Sequence, residues 1–413
     1  MIDKKGKTNM YNVEKIRKDF PIFDIEVNNK PNTFLDSGAS AQKPKCVIDA
    51  MVDVYSKEYA NVHRGSYLLS EEITYKYEQA RKTVQKFLNS AKADEIVFTR
   101  NATEAINLVA STWGKKFLSK IDEVIITELE HHANLVPWQV LRDEIGFELK
   151  ICKINDDGSF DIDEFKSLLS GKTKLVAISG MSNVLGTILP LKKIISASHK
   201  VGAKVLVDAC QLAVHQKVDV QDLDCDFLAF SGHKTYGPTG IGVLYGKYDI
   251  LDTMPPYQYG GDMVNIVTYQ STTYDVPPAR FEAGTPAIVQ AIGLGKALEY
   301  MMELGLENIA KHEKELTLYA TEKLLQIKGL KLVGTAKDKG GVFSFVVDKI
   351  HPQDLAFILN KEGVSVRVGH HCAAPLVRRM GYESVVRASL GLYNTKEDID
   401  ILCQAINKAK TFF

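Results

Sequence analysis

Lys234 stands in "FSGHKTYGPTGIGVLYG", Phe230 to Gly246, boxed in by Ser231, Gly232 and His233 and followed by a glycine-rich turn. Three other apolar runs end in groups of comparable character. "KVLVDACQ" delivers Asp208 and then Gln211. "DEIVFTRNATE" delivers Asn101, Ala102, Thr103 and Glu104. "DEVIITELEHH" delivers His131 and His132. Taken singly, each has a plain reading: a solvated lysine, an acid after a strand, a capped helix. Taken together they match the needs of a pyridine-type aldehyde cofactor. Such a cofactor requires a lysine to form a Schiff base and a carboxylate to keep its ring nitrogen protonated. It also requires a phosphate cup and benefits from a flat side chain against the ring. Asn101 with Glu104 three residues on is close to a capping box, and the start of the helix it opens suits a phosphate.

A second reactive group is "RVGHHCAAPL", Arg367 to Leu376. The plain reading is a loop with a chance cysteine. A zinc site would need further ligands at proper spacing, and adjacent His370, His371 and Cys372 do not easily face one metal. The third reading is a reactive thiol near cations, with His370, His371 and Arg367 as neighbours able to favour a thiolate. Arg387, in "VVRASLGLYNT", is suited to a bidentate grip on a carboxylate. The glycines of "GPTGIG" precede a strand and match neither the dinucleotide nor the P-loop spacing.

The elements that must position these groups alternate. From about residue 90 to 250, β-rich runs ("DEIVFT", "DEVIITE", "KLVAIS", "KVLVDA", "DFLAFS", "GIGVLYG") are separated by helical patterns. This predicts a largely parallel sheet covered by helices, with its ligand at the carboxyl ends of the strands. Residues 254–285 are rich in Pro, Gly and Tyr and read as a surface loop with a hairpin, or as a lid or interface arm. From Pro286 two long helices are expected, then strand-like "GGVFSFVVD", helix-like "HPQDLAFILNKEG", one strand over "VSVRVG" and a closing helix from Lys396.

Composition bounds the function. The chain of 413 residues has 51 basic and 51 acidic side chains, which argues against nucleic acid or an acidic membrane held by bulk charge. Its six cysteines form no C-x-x-C pair and do not read as a disulfide framework, so a reducing, cytoplasmic compartment is expected. No apolar run is long enough to span a membrane, and the first twenty residues lack the apolar core of a signal peptide. Residues 1–9 read as a tag or a short native tail, with Met10 as an alternative start.

"EHHANLVPWQ", "SNVLGT", "VDACQ", "FSGHKTYGPTGIG", "RFEAGTP", "VRVGHHCAAPL" and "RASLGLYNT" occur in this order across nearly the whole chain. Together they resemble the SUF-type (group II, SufS-like) cysteine desulfurases, which depend on pyridoxal 5'-phosphate. The resemblance implies an α/β chain of fold type I in the class V aminotransferase branch, working as a homodimer. It implies a large cofactor-binding domain with a mostly parallel sheet over 31–285 and a smaller α+β domain over 286–413 that carries the cysteine loop. Residues 1–30 would pack with the small domain.

By the same resemblance Lys234 is the Schiff-base lysine, Asp208 faces the pyridine nitrogen, His131 stacks on the ring and Gln211 touches its phenolic oxygen. Thr103, Ser231 and His233, beside Ala102, would hold the phosphate, with Thr285 from the other subunit. Arg387 and Asn183 would hold the substrate carboxylate, and Cys372 would carry the persulfide. His63 and Arg367 match pocket positions. Two departures stand out: Cys210 places a second thiol near Asp208, and Ala102 leaves one hydroxyl fewer for the phosphate.

The expected reaction removes sulfur from L-cysteine, gives L-alanine and passes sulfur to an acceptor of the SufE or SufU type for iron–sulfur cluster assembly. A selenocysteine lyase or cysteine-sulfinate desulfinase would share every motif. An aminotransferase would not need Cys372. A non-catalytic regulator would need a separate DNA-binding segment, which is not evident.

Overall fold

The computed structural model describes residues 11–413. The expectation about residues 1–9 and Met10 lies outside the described residues.

Within the apolar runs, alternate side chains leave the strand on opposite faces. Val97, Val124, Ile126, Leu206, Ala229 and Leu244 enter one buried cluster. Their neighbours Ile96, Ile125, Val205, Val207, Leu228 and Val243 enter another. Both faces are thus covered, and the strands are apolar throughout. They form a seven-stranded sheet in the order Ile96–Thr99, Gly242–Gly246, Phe227–Ser231, Lys204–Asp208, Thr173–Ser179, Glu123–Thr127, Glu148–Cys152. All neighbours are parallel except Gly242–Gly246, which runs antiparallel to both of its partners. The edge strand Glu148–Cys152 was not among the runs read from the sequence. As an edge it keeps Glu148 and Ile151 exposed and lacks the continuous apolar signature.

Parallel pairing brings the strand ends level. Ser179 pairs with Asp208, Asp208 with Ala229, and Gly242 with both Ser231 and Thr99. Gly242 is required where the antiparallel strand meets the start of the helix Ala102–Val109: a Cβ there would lie 2.5 Å from Asn101 Cα.

Beyond residue 286 the helices Ile288–Leu304 and Leu306–Leu325 form as expected. The first packs on Leu68–Leu88 and Lys45–Asp53. A four-stranded antiparallel sheet follows, ordered Leu330–Val333, Val342–Val347, Val385–Ser389, Arg367–Gly369. The single strand expected over "VSVRVG" is two. Val364–Ser365 pairs in parallel with Thr33–Phe34, and Arg367–Gly369 turns to pair with Val385–Ser389. Val366 is the change-over, and the two pieces answer to different partners.

The chain from Thr33 to Asp36 therefore runs along the smaller sheet, and Asp36 bridges to Ser389. Arg17 also reaches this part of the molecule, with a 3.0 Å ion pair to Asp398. Residues 254–285 contain the hairpin Val264–Val267 and Thr272–Tyr274, whose Ile266, Val267 and Tyr269 are exposed. No helix among the described residues is long and apolar enough to cross a membrane.

Candidate active site

At the carboxyl ends of the parallel strands lies a cavity of about 240 Å³. It is lined by Ala102, Thr103, His131, Asn183, Asp208, Gln211, Ser231, His233, Lys234, Arg367, Cys372 and Arg387. Twelve of the fourteen residues to which the resemblance gives a place in the site thus meet in one cavity. The other two do not. Thr285 lines a separate cleft with Tyr77, Phe98 and Arg100. His63 is exposed, with its Nε2 3.4 Å from Glu78 Oε1. A larger cleft of about 1040 Å³ elsewhere, lined by Lys217, Lys311, Lys337 and Glu307 among others, contains none of the strand-end groups.

The helix Ala102–Val109 opens onto the cavity. Asn101 Oδ1 accepts from Glu104 N–H at 2.9 Å, so the expected cap is present. The reciprocal half of a capping box is not: Glu104 Oε2 accepts from Arg100 N–H instead. Ser231 Oγ accepts from Ala102 N–H at 2.9 Å. Among the described residues, Thr103 N–H is left as the first-turn amide without such a cap. A free amide at a helix start, beside a threonine hydroxyl, fits an anion.

Asp208 is buried, and its Oδ1 accepts from Cys210 N–H at 2.9 Å. Gln211 is held by its own amide, which donates to Gly38 O at 2.8 Å. Lys234 lines the cavity and pairs with no carboxylate among the described residues, so its amine is uncommitted. Just before it, His233 O accepts from Lys43 Nζ at 3.0 Å and from Ala41 N–H at 3.0 Å, which fixes the backbone.

His131 Nδ1 accepts from Ala133 N–H at 3.0 Å, which sets the ring orientation. Burial and then the Lys234 charge push His131 down to about 4. Burial, Lys234 and Lys43 push His233 down to about 4 as well. Both rings are neutral near pH 7. Glu130, immediately before His131, is pushed up to about 7 by complete burial, against hydrogen bonds from Thr127, Asn134 and Ser179.

One corner of the cavity is built by Arg387, Asn183 and an acid the sequence reading missed. Arg387 Nη1 donates to Asn183 O at 2.9 Å, and Nη2 lies 3.3 Å from Asp36 Oδ1. Asp36 also pairs with Arg367 Nη2 at 2.9 Å. Asn183 Nδ2 donates to His371 O at 2.8 Å. Arg387 Nε, Asn183 Oδ1 and both ring nitrogens of His371 are buried without a partner. Buried polar atoms are almost always satisfied, so four orphans together mark a place where a polar ligand completes the structure. The signal for Asp36 was its "FLDSGAS" setting, a small polar cluster after an apolar pair.

Cys372 is exposed at the cavity mouth, on a loop where both His371 (φ 50) and Cys372 (φ 55) are left-handed. The expected cationic neighbours need one correction. Burial and Arg387 push His371 down to about 3, so it is neutral and cannot favour a thiolate by charge. Arg367 and Arg387 are the cations that line the same cavity as Cys372. Cys210 is buried, its thiol pushed up to about 12 by burial and Asp208.

The residues fit the cofactor expected from them: an uncommitted lysine, a buried carboxylate, a neutral ring and a free helix-start amide share one cavity.

Comparison with known proteins agrees. The profile of the aminotransferase class-V family matches residues 33–402. A protein named cysteine desulfurase from Synechococcus elongatus is 49% identical over 401 residues, 97% of this chain; the chain spans only 64% of its length. A probable cysteine desulfurase from Halalkalibacterium halodurans is 46% identical over 402 residues, 97% of this chain and 99% of that one. Among solved structures, the apo structure of a cysteine desulfurase from Thermococcus onnurineus superimposes with a TM-score of 0.93 at 38% identity, covering 98% of this chain and 100% of that one. A match over most of the sequence, together with fold and site, leads to one conclusion: the chain belongs to the aminotransferase class-V family.

Proposed function

We propose that this protein is a pyridoxal-phosphate-dependent cysteine desulfurase that converts L-cysteine to L-alanine and leaves the sulfur on Cys372. One observation carries the reading. The uncommitted Lys234, the buried Asp208 and the exposed Cys372 line one cavity whose far wall holds the unsatisfied Arg387 Nε and Asn183 Oδ1. An aminotransferase would use the first two and the arginine but has no work for a thiol at the mouth.

Pyridoxal 5'-phosphate, when bound, supplies an aldehyde that joins amines and a ring that takes up electrons. Lys234 would join it at rest, and Asp208 would hold the ring nitrogen protonated. His131 and Gln211 would flank the ring. Thr103, Ser231 and His233, with the backbone beside Ala102, would hold the phosphate. Arg387 and Asn183 grip the substrate carboxylate. Lys234 Nζ takes the Cα proton. The Cys372 thiolate then attacks the substrate sulfur: a sulfur–sulfur bond forms, the Cβ–S bond breaks and its electron pair stays on carbon. Protonation gives alanine. The sum, cysteine plus enzyme thiol to alanine plus enzyme persulfide, needs no outside oxidant.

The same reading assigns a homodimer in which Thr285 reaches the neighbouring subunit's phosphate site, since it lies outside its own chain's cavity. His63 would border that same junction. The division 1–30, 31–285 and 286–413 belongs to the reading too, with Ile288–Leu304 packed back on the large part. The sulfur acceptor would be a protein thiol of the SufE or SufU type, and the cytoplasm suits six free cysteines. The deciding experiment incubates the purified, cofactor-loaded protein with L-cysteine and a reductant. Equal alanine and sulfide support the reading; no alanine rejects it. Faster turnover of L-selenocysteine or cysteine sulfinate would favour the selenocysteine lyase or desulfinase alternative instead.

A further inference from the structure

The loop that carries Cys372 is bent in a way its residues do not favour. His371 and Cys372 are consecutive left-handed residues, and neither is glycine. Such a conformation persists only when surrounding contacts over-determine it. The loop's own contribution is small: Ala373 N–H donates to His370 O at 2.8 Å. The helix that follows, Ala374–Arg379, receives no side-chain cap from its N-cap residue Ala373. Its first amide would be left open.

His132 supplies what is missing, from the large sheet's side of the loop. Its backbone N–H donates to Cys372 O at 2.7 Å. Its ring Nε2 accepts from Ala374 N–H at 3.1 Å. One residue, just beyond the end of the strand Glu123–Thr127, therefore holds the chain on both sides of the nucleophile. The ring must be neutral to accept, and burial, then His370, lower its affinity for a proton. His132 does not line the cavity that holds Lys234 and Asp208. It lines the adjoining apolar groove, with Val136, Val140 and Cys372.

We propose that His132 is a positioning residue for Cys372. Its two hydrogen bonds pin the loop to the large sheet, keep His371 and Cys372 left-handed and aim Sγ at the substrate sulfur. The proposal rests on the desulfurase reading above. A misdirected nucleophile slows the sulfur–sulfur step without disturbing substrate or cofactor binding, because Lys234, Asp208 and Arg387 sit on other elements and the neighbouring His131 ring is oriented by its own bond from Ala133 N–H.

The test uses cofactor-loaded protein carrying His132→Phe, which keeps the ring's bulk and removes the acceptor, and His132→Gln, which keeps an acceptor. His132→Leu is a second acceptor-free variant with the same expectation, should the first not fold. In His132→Phe, kcat for alanine should fall about tenfold or more, while KM for L-cysteine and the cofactor's visible absorption stay within about twofold. Amide exchange across residues 370–376 should quicken, and brief exposure to L-cysteine should leave less persulfide on Cys372. His132→Gln should recover most of the rate. The proposal is overturned by a wild-type kcat in His132→Phe, by a His132→Gln as slow as His132→Phe, or by a loss that appears in KM or in the cofactor spectrum. A wild type that makes no alanine rejects the desulfurase reading instead, and the exchange measurement then still decides whether His132 pins the loop.

Discussion

Arg387 and Asn183 share one hydrogen bond and each keeps one buried atom unsatisfied. Arg387 Nη1 donates to Asn183 O at 2.9 Å, while Arg387 Nε and Asn183 Oδ1 pair with nothing. The bond orients the guanidinium, and both residues line the cavity that holds Lys234. Arg387→Lys should therefore lower kcat/KM for L-cysteine by roughly 10- to 1000-fold, because a point charge does not reproduce the planar fork. Cofactor absorption should be unchanged. Steady-state kinetics on the loaded variant checks this; a loss under about threefold would remove Arg387 from the carboxylate site.

Cys372 and Cys210 are separated by environment rather than by chemistry. Cys372 is exposed and shares its cavity with Arg367 and Arg387, whereas Cys210 is buried with its thiol pushed up to about 12. A thiol that high is almost wholly protonated near pH 7 and is a poor nucleophile. Cys372→Ala should keep the cofactor and still change its spectrum with L-cysteine, yet form no persulfide. Mass spectrometry of the wild type after brief exposure should place one extra sulfur on the Cys372 peptide. Finding it on the Cys210 peptide, with turnover intact in Cys372→Ala, would contradict the assignment.

Acid should destabilise the cofactor-free protein in a defined window. In the unfolded chain His371 takes up a proton below its ordinary value of 6.5, but in the fold it resists until about 3. His131 and His233 behave alike, resisting until about 4. The unfolded state binds more protons, so stability is lost as pH falls from about 6.5 toward 3 and is unaffected by these groups above it. His371→Asn removes one such group and suits the left-handed backbone. Its thermal midpoint should fall less steeply than the wild type's between pH 6.5 and 4; parallel curves would show that His371 contributes nothing.

Thr285 belongs to no cavity that contains Lys234 in its own chain. Tyr55, Tyr59, Tyr67 and Leu68, and the hairpin residues Ile266 and Tyr269, are exposed apolar surface that a second copy would cover. Sedimentation should find a dimer at micromolar concentration, and Thr285→Ala should lose cofactor more readily in dialysis. A fully active monomer would break the composite-site reading.

Local chemistry decided a large part of this protein in advance. The apolar strands, Lys234 after "FLAFS", Asp208 after "KVLV" and the Asn101 cap are legible because burial and capping leave marks within a few residues. What the linear chain cannot show is pairing between distant segments. Asp36 reaches Arg387 only because Thr33–Phe34 pairs with Val364–Ser365. The break within "VSVRVG" exists because its halves find different partners, and the edge strand Glu148–Cys152 is half-exposed and carries no apolar run. His371 looked like a cation for Cys372 until burial made it neutral. The sequence determined which groups stand at the strand ends, since each follows from its own neighbours. Only the tertiary structure decided how they are charged and held, because desolvation and long-range hydrogen bonds depend on what the fold brings beside them.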